Sequence, residues 1–249
     1  MLRGLIFDLG STLIFNQHNN QWSKLRPRMV SDLVADLKAQ GLAFDDDQFA
    51  AAFIRNIEDF DQQRQTHFKE ITTEYILRVT FQELNIQANH LDLPRALTAL
   101  FSFSESQWEN MPHVHETLRL LQQGGLKLAI VSNAADSANV QRLIDNAALR
   151  PYFDPIIISA NVGVRKPNPR IFDPVLKTWG FATNEVVVIG DTLGADILGA
   201  KNAHMKNIWV TMQADTPYNT AHRETILPDA VCDSLDQLPA ILQQIADSE

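Results

Sequence analysis

The chain has 249 residues, 45% of them hydrophobic, with 21 basic against 30 acidic side chains and a formal charge of -9. That length suits an α/β core carrying an insertion and is ample for a substantial core, while the acidic balance disfavours nucleic acid, which is held by clustered Lys and Arg. With Cys232 the only cysteine, an intrachain disulfide is excluded. Its simplest reading is a small buried hydrophobe.

The first apolar run, Leu5-Ile6-Phe7, ends at Asp8, too early for the apolar region of a signal peptide to be completed. No later stretch reaches about 18 uninterrupted apolar residues, so the expectation is a soluble cytoplasmic protein with no membrane partner. From about Asn16 to Asn110 the pattern is helical: Leu25, Met29, Leu33 and Leu37, then Phe49, Phe53, Ile57 and Phe60, then Ile71 to Leu84 and Leu93 to Phe103. Spacings of three and four put each set on one helix face, so the segment is expected to close as a bundle around its own apolar seam. Asp45-Asp46-Asp47 reads as a helix opening, where negative charge favours the dipole, rather than as a metal cluster. The polar, turn-prone stretches Asn16 to Asn20 and Glu109 to Pro112 are candidate hinges.

Beyond Asn110 short apolar runs alternate with helical patterns. The runs are Leu126 to Val131, Ile156 to Ile158, Val186 to Ile189 and Ile208 to Val210; the helices are Val114 to Gln123, Ala138 to Ala147, Ile171 to Trp179 and Ala195 to Asn202. Such alternation predicts an α/β, doubly wound, mostly parallel Rossmann-like sheet, its strands buried on both faces. Asn168 is placed to cap a helix that has Pro169 at its first position, which puts Lys166 in the loop just before it.

In such a sheet, ligands gather beyond the carboxyl ends of the strands. Those ends are unusually polar here: Asp8 after the first strand, Ser132-Asn133 after the second, Lys166 in the loop after the third, and Asp191 with Asp196 after the fourth. Carboxylates from two strand ends with a lysine and a hydroxyl suit a hard cation and an anionic oxygen ligand. For Asp191 alone, a helix N-cap is an equally good reading.

The segments Phe7-Asp8-Leu9-Gly10-Ser11-Thr12-Leu13, Val131-Ser132-Asn133, Arg165-Lys166-Pro167 and Ile189-Gly190-Asp191-Thr192-Leu193-Gly194-Ala195-Asp196, in this order, resemble the haloacid dehalogenase superfamily, in which phosphatases predominate. The resemblance covers nearly the whole chain. It implies a catalytic core of residues 1–15 and 111–249 with a helical cap of residues 16–110, acting on a small phosphorylated substrate as a monomer or homodimer. It further implies that Asp8 is a nucleophile forming an aspartyl-phosphate that water hydrolyses. Mg2+ would be held by Asp8, Asp191 and the Gly10 carbonyl, with Asp196 behind them or as an additional ligand. Ser132 and Asn133 would position the phosphoryl group, and Lys166 would offset charge among carboxylates and phosphate.

The chain departs from the family pattern at Gly10, where an aspartate usually serves as general acid and base. Such help is worth roughly 10²–10⁴-fold, so slow hydrolysis of activated phosphoesters or acyl phosphates is expected. Candidate substitutes are Ser11, His18, Lys24 and Arg28. Alternative readings are a non-catalytic phosphometabolite-binding or scaffold protein, a phosphonate C–P hydrolase with a Schiff base on Lys24, Lys38 or Lys69, and a dehalogenase. The last needs no cation, so the Asp191–Asp196 pair argues against it.

Overall fold

The computed structural model describes residues 1–16 and 22–247. The chain begins with β1 (Gly4–Phe7) and β2 (Ile14–Asn16), then runs through α1 (Trp22–Ala39), α2 (Asp46–His67), α3 (Thr73–Glu83) and α4 (Leu93–Glu105) before returning in β3 (Trp108–Asn110). From there it alternates: α5 (Val114–Gln123), β4 (Lys127–Ser132), α6 (Ser137–Asn146), β5 (Ile156–Ile158), α7 (Ser159–Val162), α8 (Asp173–Trp179), β6 (Val186–Gly190), α9 (Leu198–Asn202) and β7 (Lys206–Val210). Then come α10 (Pro217–His222), β8 (Ala230–Cys232) and α11 (Leu238–Asp247).

Among the described residues the main sheet has six strands in the order β5-β4-β1-β6-β7-β8, every pairing parallel. All residues of β1 and β6 are buried, which is why these strands read as continuous apolar runs instead of alternating ones. Phe7 is level with Ile130 of β4 and Ile189 of β6, so Asp8, Ser132 and Asp191 leave the sheet on one edge. β1 lies where strand order reverses, the place an open parallel sheet opens a crevice.

The expected helix Ile171 to Trp179 begins instead as a 3₁₀ turn, Pro169–Phe172, before α8. Pro174 has no N–H to give the Arg170 carbonyl, so the turn is closed by Asp173 N–H. Asn168 still caps it, its side chain accepting from Arg170 N–H at 3.1 Å. The helix expected from Ala195 starts earlier, as a wide turn over Leu193–Ile197 that leads into α9.

The helices α1 to α4 bury Leu25, Leu33, Leu37, Phe49, Phe53 and Ile76 in a cluster of their own that takes nothing from the sheet. Asp45 caps α2 by accepting from Gln48 N–H at 2.8 Å, with Asp46 and Asp47 in the first turn. The acidic triplet is therefore a helix opening. The Glu109 to Pro112 stretch, expected as a hinge, begins inside a strand: Ile14 to Asn16 pair antiparallel with Asn110 to Trp108. A further tie links helices to core, where Lys69 bridges Val164. Around it Glu70 N–H donates to Gly163 O (3.0 Å), Arg165 N–H to Phe68 O (3.1 Å) and Thr73 N–H to Ala135 O (2.9 Å). Glu70 itself is buried there, meeting Arg64 at 3.0 Å and Arg165 at 3.7 Å. Cys232 is buried, and desolvation pushes its thiol up to about 11. No helix among the described residues is long and apolar enough to cross a membrane.

Candidate active site

Between the carboxyl edge of the sheet and the helices lies a cavity of about 640 Å³. Asp8, Gly10, Ser132, Asn133, Lys166, Asp191 and Asp196 all line it, so the structure brings the expected residues together. Lys166, 3% exposed, donates from Nζ to Asp8 Oδ1 at 2.6 Å and to the Val131 carbonyl at 2.7 Å. The same Nζ lies 2.6 Å from Asp196 Oδ1. Asp8 is fixed from the backbone side as well, its N–H donating to Ile189 O at 2.9 Å.

The lysine is held by its main chain. Asn133 Oδ1 accepts from Lys166 N–H at 2.8 Å and Asn133 Nδ2 donates to Lys166 O at 3.0 Å. The Asn133 amide, expected to position a phosphoryl group, holds the Lys166 main chain at both ends. Next along the chain, Asn202 Nδ2 donates to Pro167 O at 3.1 Å.

The loop after β6 is fixed by residues that carry no motif. Trp209 Nε1 and Asn219 Nδ2 both donate to the Asp191 carbonyl, at 2.7 and 2.9 Å, and Asn219 Oδ1 accepts from Leu193 N–H at 2.8 Å. Asp196 Oδ2 accepts from Thr192 N–H at 2.9 Å. A Cβ on Gly190 would sit 2.3 Å from Asp196 Cγ, so only glycine lets that carboxylate fold back over the strand end.

These residues fit a divalent cation. Carboxylate oxygens of Asp8, Asp191 and Asp196 lie within 4.8 Å of one another. Among the described residues Lys166 is the only cation in ion-pair contact with any of them, which leaves buried negative charge uncompensated. Asp196 Oδ1, despite the nearby ammonium, receives no hydrogen bond. An all-oxygen set of this kind suits a hard ion. The electrostatics agree: burial, only partly offset by Lys166, pushes Asp8 up to about 6, and burial with repulsion from Asp196 and Asp8 holds Asp191 well above the usual carboxylate range. Burial works against charge on Lys166, but Asp196 and Asp8 outweigh it and hold the ammonium above its ordinary value.

The upper wall comes from the helices, where apolar Met29, Val30, Ile57, Ile76 and Phe101 are mixed with Arg26, Asp61, Arg64, Gln65 and Thr73. Of the candidate acid substitutes, Ser11 lines the cavity, His18 lies outside the described residues, and Lys24 is exposed. Arg28 is turned away to Asp32 at 3.0 Å; Arg26 lines the cavity in its place. Lys38 pairs with Asp46 and Lys69 is exposed. Lys166 is thus the one lysine lining the cavity among the described residues, so none of the proposed Schiff-base lysines reaches it. Trp108, Asn219, Trp209 and Glu70 had no sequence signal beyond residue type, because their roles arise from contacts between distant segments.

A family model described as haloacid dehalogenase-like hydrolase matches residues 2–204. The glyceraldehyde 3-phosphate phosphatase of Pyrococcus furiosus is 24% identical over 98% of this chain and 94% of its own length. The pyrimidine 5'-nucleotidase YjjG of Escherichia coli is 36% identical over 48% of this chain and 51% of its own. Among solved structures, a HAD phosphatase from Thermococcus onnurineus superposes with a TM-score of 0.65 at 22% identity, covering 97% of this chain and 98% of that one. A 2-haloacid dehalogenase from Pseudomonas syringae gives 0.66 at 24% identity, covering 98% and 99%; likeness at that level is likeness of fold.

Proposed function

The chain belongs to the haloacid dehalogenase-like hydrolases, and from that premise we propose a Mg2+-dependent phosphohydrolase that works through an aspartyl-phosphate on Asp8. Kinship with phosphatases across the chain's length supports hydrolysis of a phosphoester. The observation that carries the reading is the buried Asp8–Lys166–Asp196 array, with Asp191 beside it.

An Asp8 oxygen attacks phosphorus, the bond to the ester oxygen breaks in line with the attack, and the leaving oxygen takes its proton from solvent. Water then cleaves the aspartyl-phosphate, releasing phosphate and restoring the carboxylate. Lys166 holds Asp8 in place and offsets the repulsion between an anionic nucleophile and an anionic substrate. Ser132 faces the phosphoryl group, and Asn133 acts through Lys166. Asp8, Asp191, Asp196 and the Gly10 carbonyl would hold Mg2+, which when bound neutralises charge on the reacting oxygens. Residues 16–110 serve as a cap over a core of residues 1–15 and 111–249.

With glycine at position 10 the leaving oxygen lacks the acid usual at that position in the family, so activated phosphates are its best substrates. The test is a panel of aryl, alkyl and acyl phosphates with and without Mg2+, with Asp8→Asn as control. Turnover that needs both the metal and Asp8 is expected, rising as the leaving group becomes more acidic. Full turnover by Asp8→Asn sinks the proposal, and fast hydrolysis of alkyl phosphates removes the part that rests on Gly10.

A further inference from the structure

Gly10 is not beside empty space. A Cβ built there would meet Trp108 Cη2 at 3.4 Å and Cζ3 at 3.6 Å. A methyl group fits at ordinary contact, but a longer side chain aimed the same way runs into the indole. The ring is held firmly. Trp108 pairs with Asn16 in the β2–β3 ladder, its side chain packs against the core of the main sheet, and Gly10 is tied to the same ladder by a bridge to Ile14. The indole and Asp8 line one cavity, which continues into the apolar wall of Met29, Val30 and Phe101.

In-line displacement puts the leaving oxygen on the far side of phosphorus from Asp8, so the leaving group projects away from Asp8 into the cavity that Trp108 also lines. We propose that Trp108 is a specificity-determining residue: it fills the room beside Gly10 and offers its indole to the leaving group, selecting phosphoesters that carry an aromatic or heteroaromatic ring near the ester oxygen. Compact polyol phosphates bury no such ring and gain nothing from it. The inference rests on the reading of Asp8 as nucleophile. It adds that position 10 was not simply emptied of an acid but became part of an aromatic wall.

The experiment measures kcat and KM for phenyl phosphate, benzyl phosphate and glycerol 3-phosphate in wild type, Trp108→Phe, Trp108→Ala and Asp8→Asn, with thermal melting of each. Stacking of a ring on an aromatic side chain corresponds to roughly ten- to a hundredfold in affinity. Wild type should therefore favour the ring-bearing substrates. Trp108→Ala should raise their KM by about that factor while leaving glycerol 3-phosphate within about threefold, and Trp108→Phe should keep most of the preference. Equal loss across the panel, or a wild-type preference for glycerol 3-phosphate, overturns the proposal, and the latter does so even if Trp108→Ala fails to fold. Turnover retained by Asp8→Asn would instead fault the nucleophile. Placement of the ring has its own check. Gly10→Asp should not accelerate glycerol 3-phosphate hydrolysis, whereas Gly10→Asp with Trp108→Ala should exceed Gly10→Asp alone by about tenfold or more, since general acid help is worth at least that. A faster Gly10→Asp single variant overturns the steric part.

Discussion

The floor of the cavity and its roof are built on different principles. On the floor, Asp8, Lys166, Asp196 and Val131 meet at 2.6–2.7 Å, and each is held by a second partner. On the roof, apolar side chains of α1 to α4 share the cavity lining with Arg26, Asp61, Arg64, Gln65 and Thr73, and the helices sit on an apolar core the sheet does not share. Charge in a low-dielectric site demands specific partners at fixed distances, whereas apolar packing asks mainly for volume. The floor therefore tolerates almost no substitution, and the roof is where substrate preference is free to vary.

The sharpest way to break this contrast is Asp8→Asn, expected to lower turnover by about 10⁴-fold or more, the scale on which nucleophile loss is felt; single-turnover assays check it. Next comes Lys166→Met, which leaves Asp8 and Asp196 facing each other unpaired. A loss of about 3–5 kcal/mol is expected from chemical denaturation, with part of it regained on adding a divalent cation. A stability unchanged by Lys166→Met would show that the floor is not one electrostatic unit.

Metal removal gives a third test. Asp8 holds its proton more tightly when folded, near pH 6, than an ordinary aspartate at 3.8, and Asp191 is shifted in the same direction. Between those pH values the folded state binds more protons than the unfolded one, so stability falls as pH rises and is level above. In chelator the drop from Asp8 should be at most about 3 kcal/mol, at 1.36 kcal/mol per unit, and Mg2+ should remove it at neutral pH. Melting curves across pH 4 to 7 decide the matter. Asn133→Ala, which frees the Lys166 main chain at both N–H and C=O, should cost about 1–3 kcal/mol and reduce kcat more than KM. Ile57→Ala on the roof should do least, moving KM by less than about tenfold with kcat unchanged. A larger kcat effect from Ile57 than from Asn133 would reverse the comparison.

The two regions also differed in how far the sequence disclosed them. Asp8, Ser132 and Asp191 end or follow runs buried on both faces, and polar residues at such ends stand out against their neighbours. The bundle helices showed themselves by spacing, as in Leu25, Met29, Leu33 and Leu37. What stayed hidden was set by tertiary contact. Three-residue strands such as β2, β3 and β8 are too short to show a period. Asn219 is an ordinary polar residue in a short helix until the fold brings it to the Asp191 carbonyl. Asn133 was recognised, but only the structure shows both ends of its amide on Lys166. Trp108 lay just before the stretch read as a hinge, and nothing local indicates that its ring lies against Gly10.

The tie around Glu70 has a kinetic consequence. Besides the paired strands at its base, the helical roof is fastened along its far edge by the amides of Glu70, Thr73 and Arg165. Any lifting of the roof must break these three hydrogen bonds together. Deuterium exchange at the amides of Glu70, Thr73 and Arg165 would report such an opening.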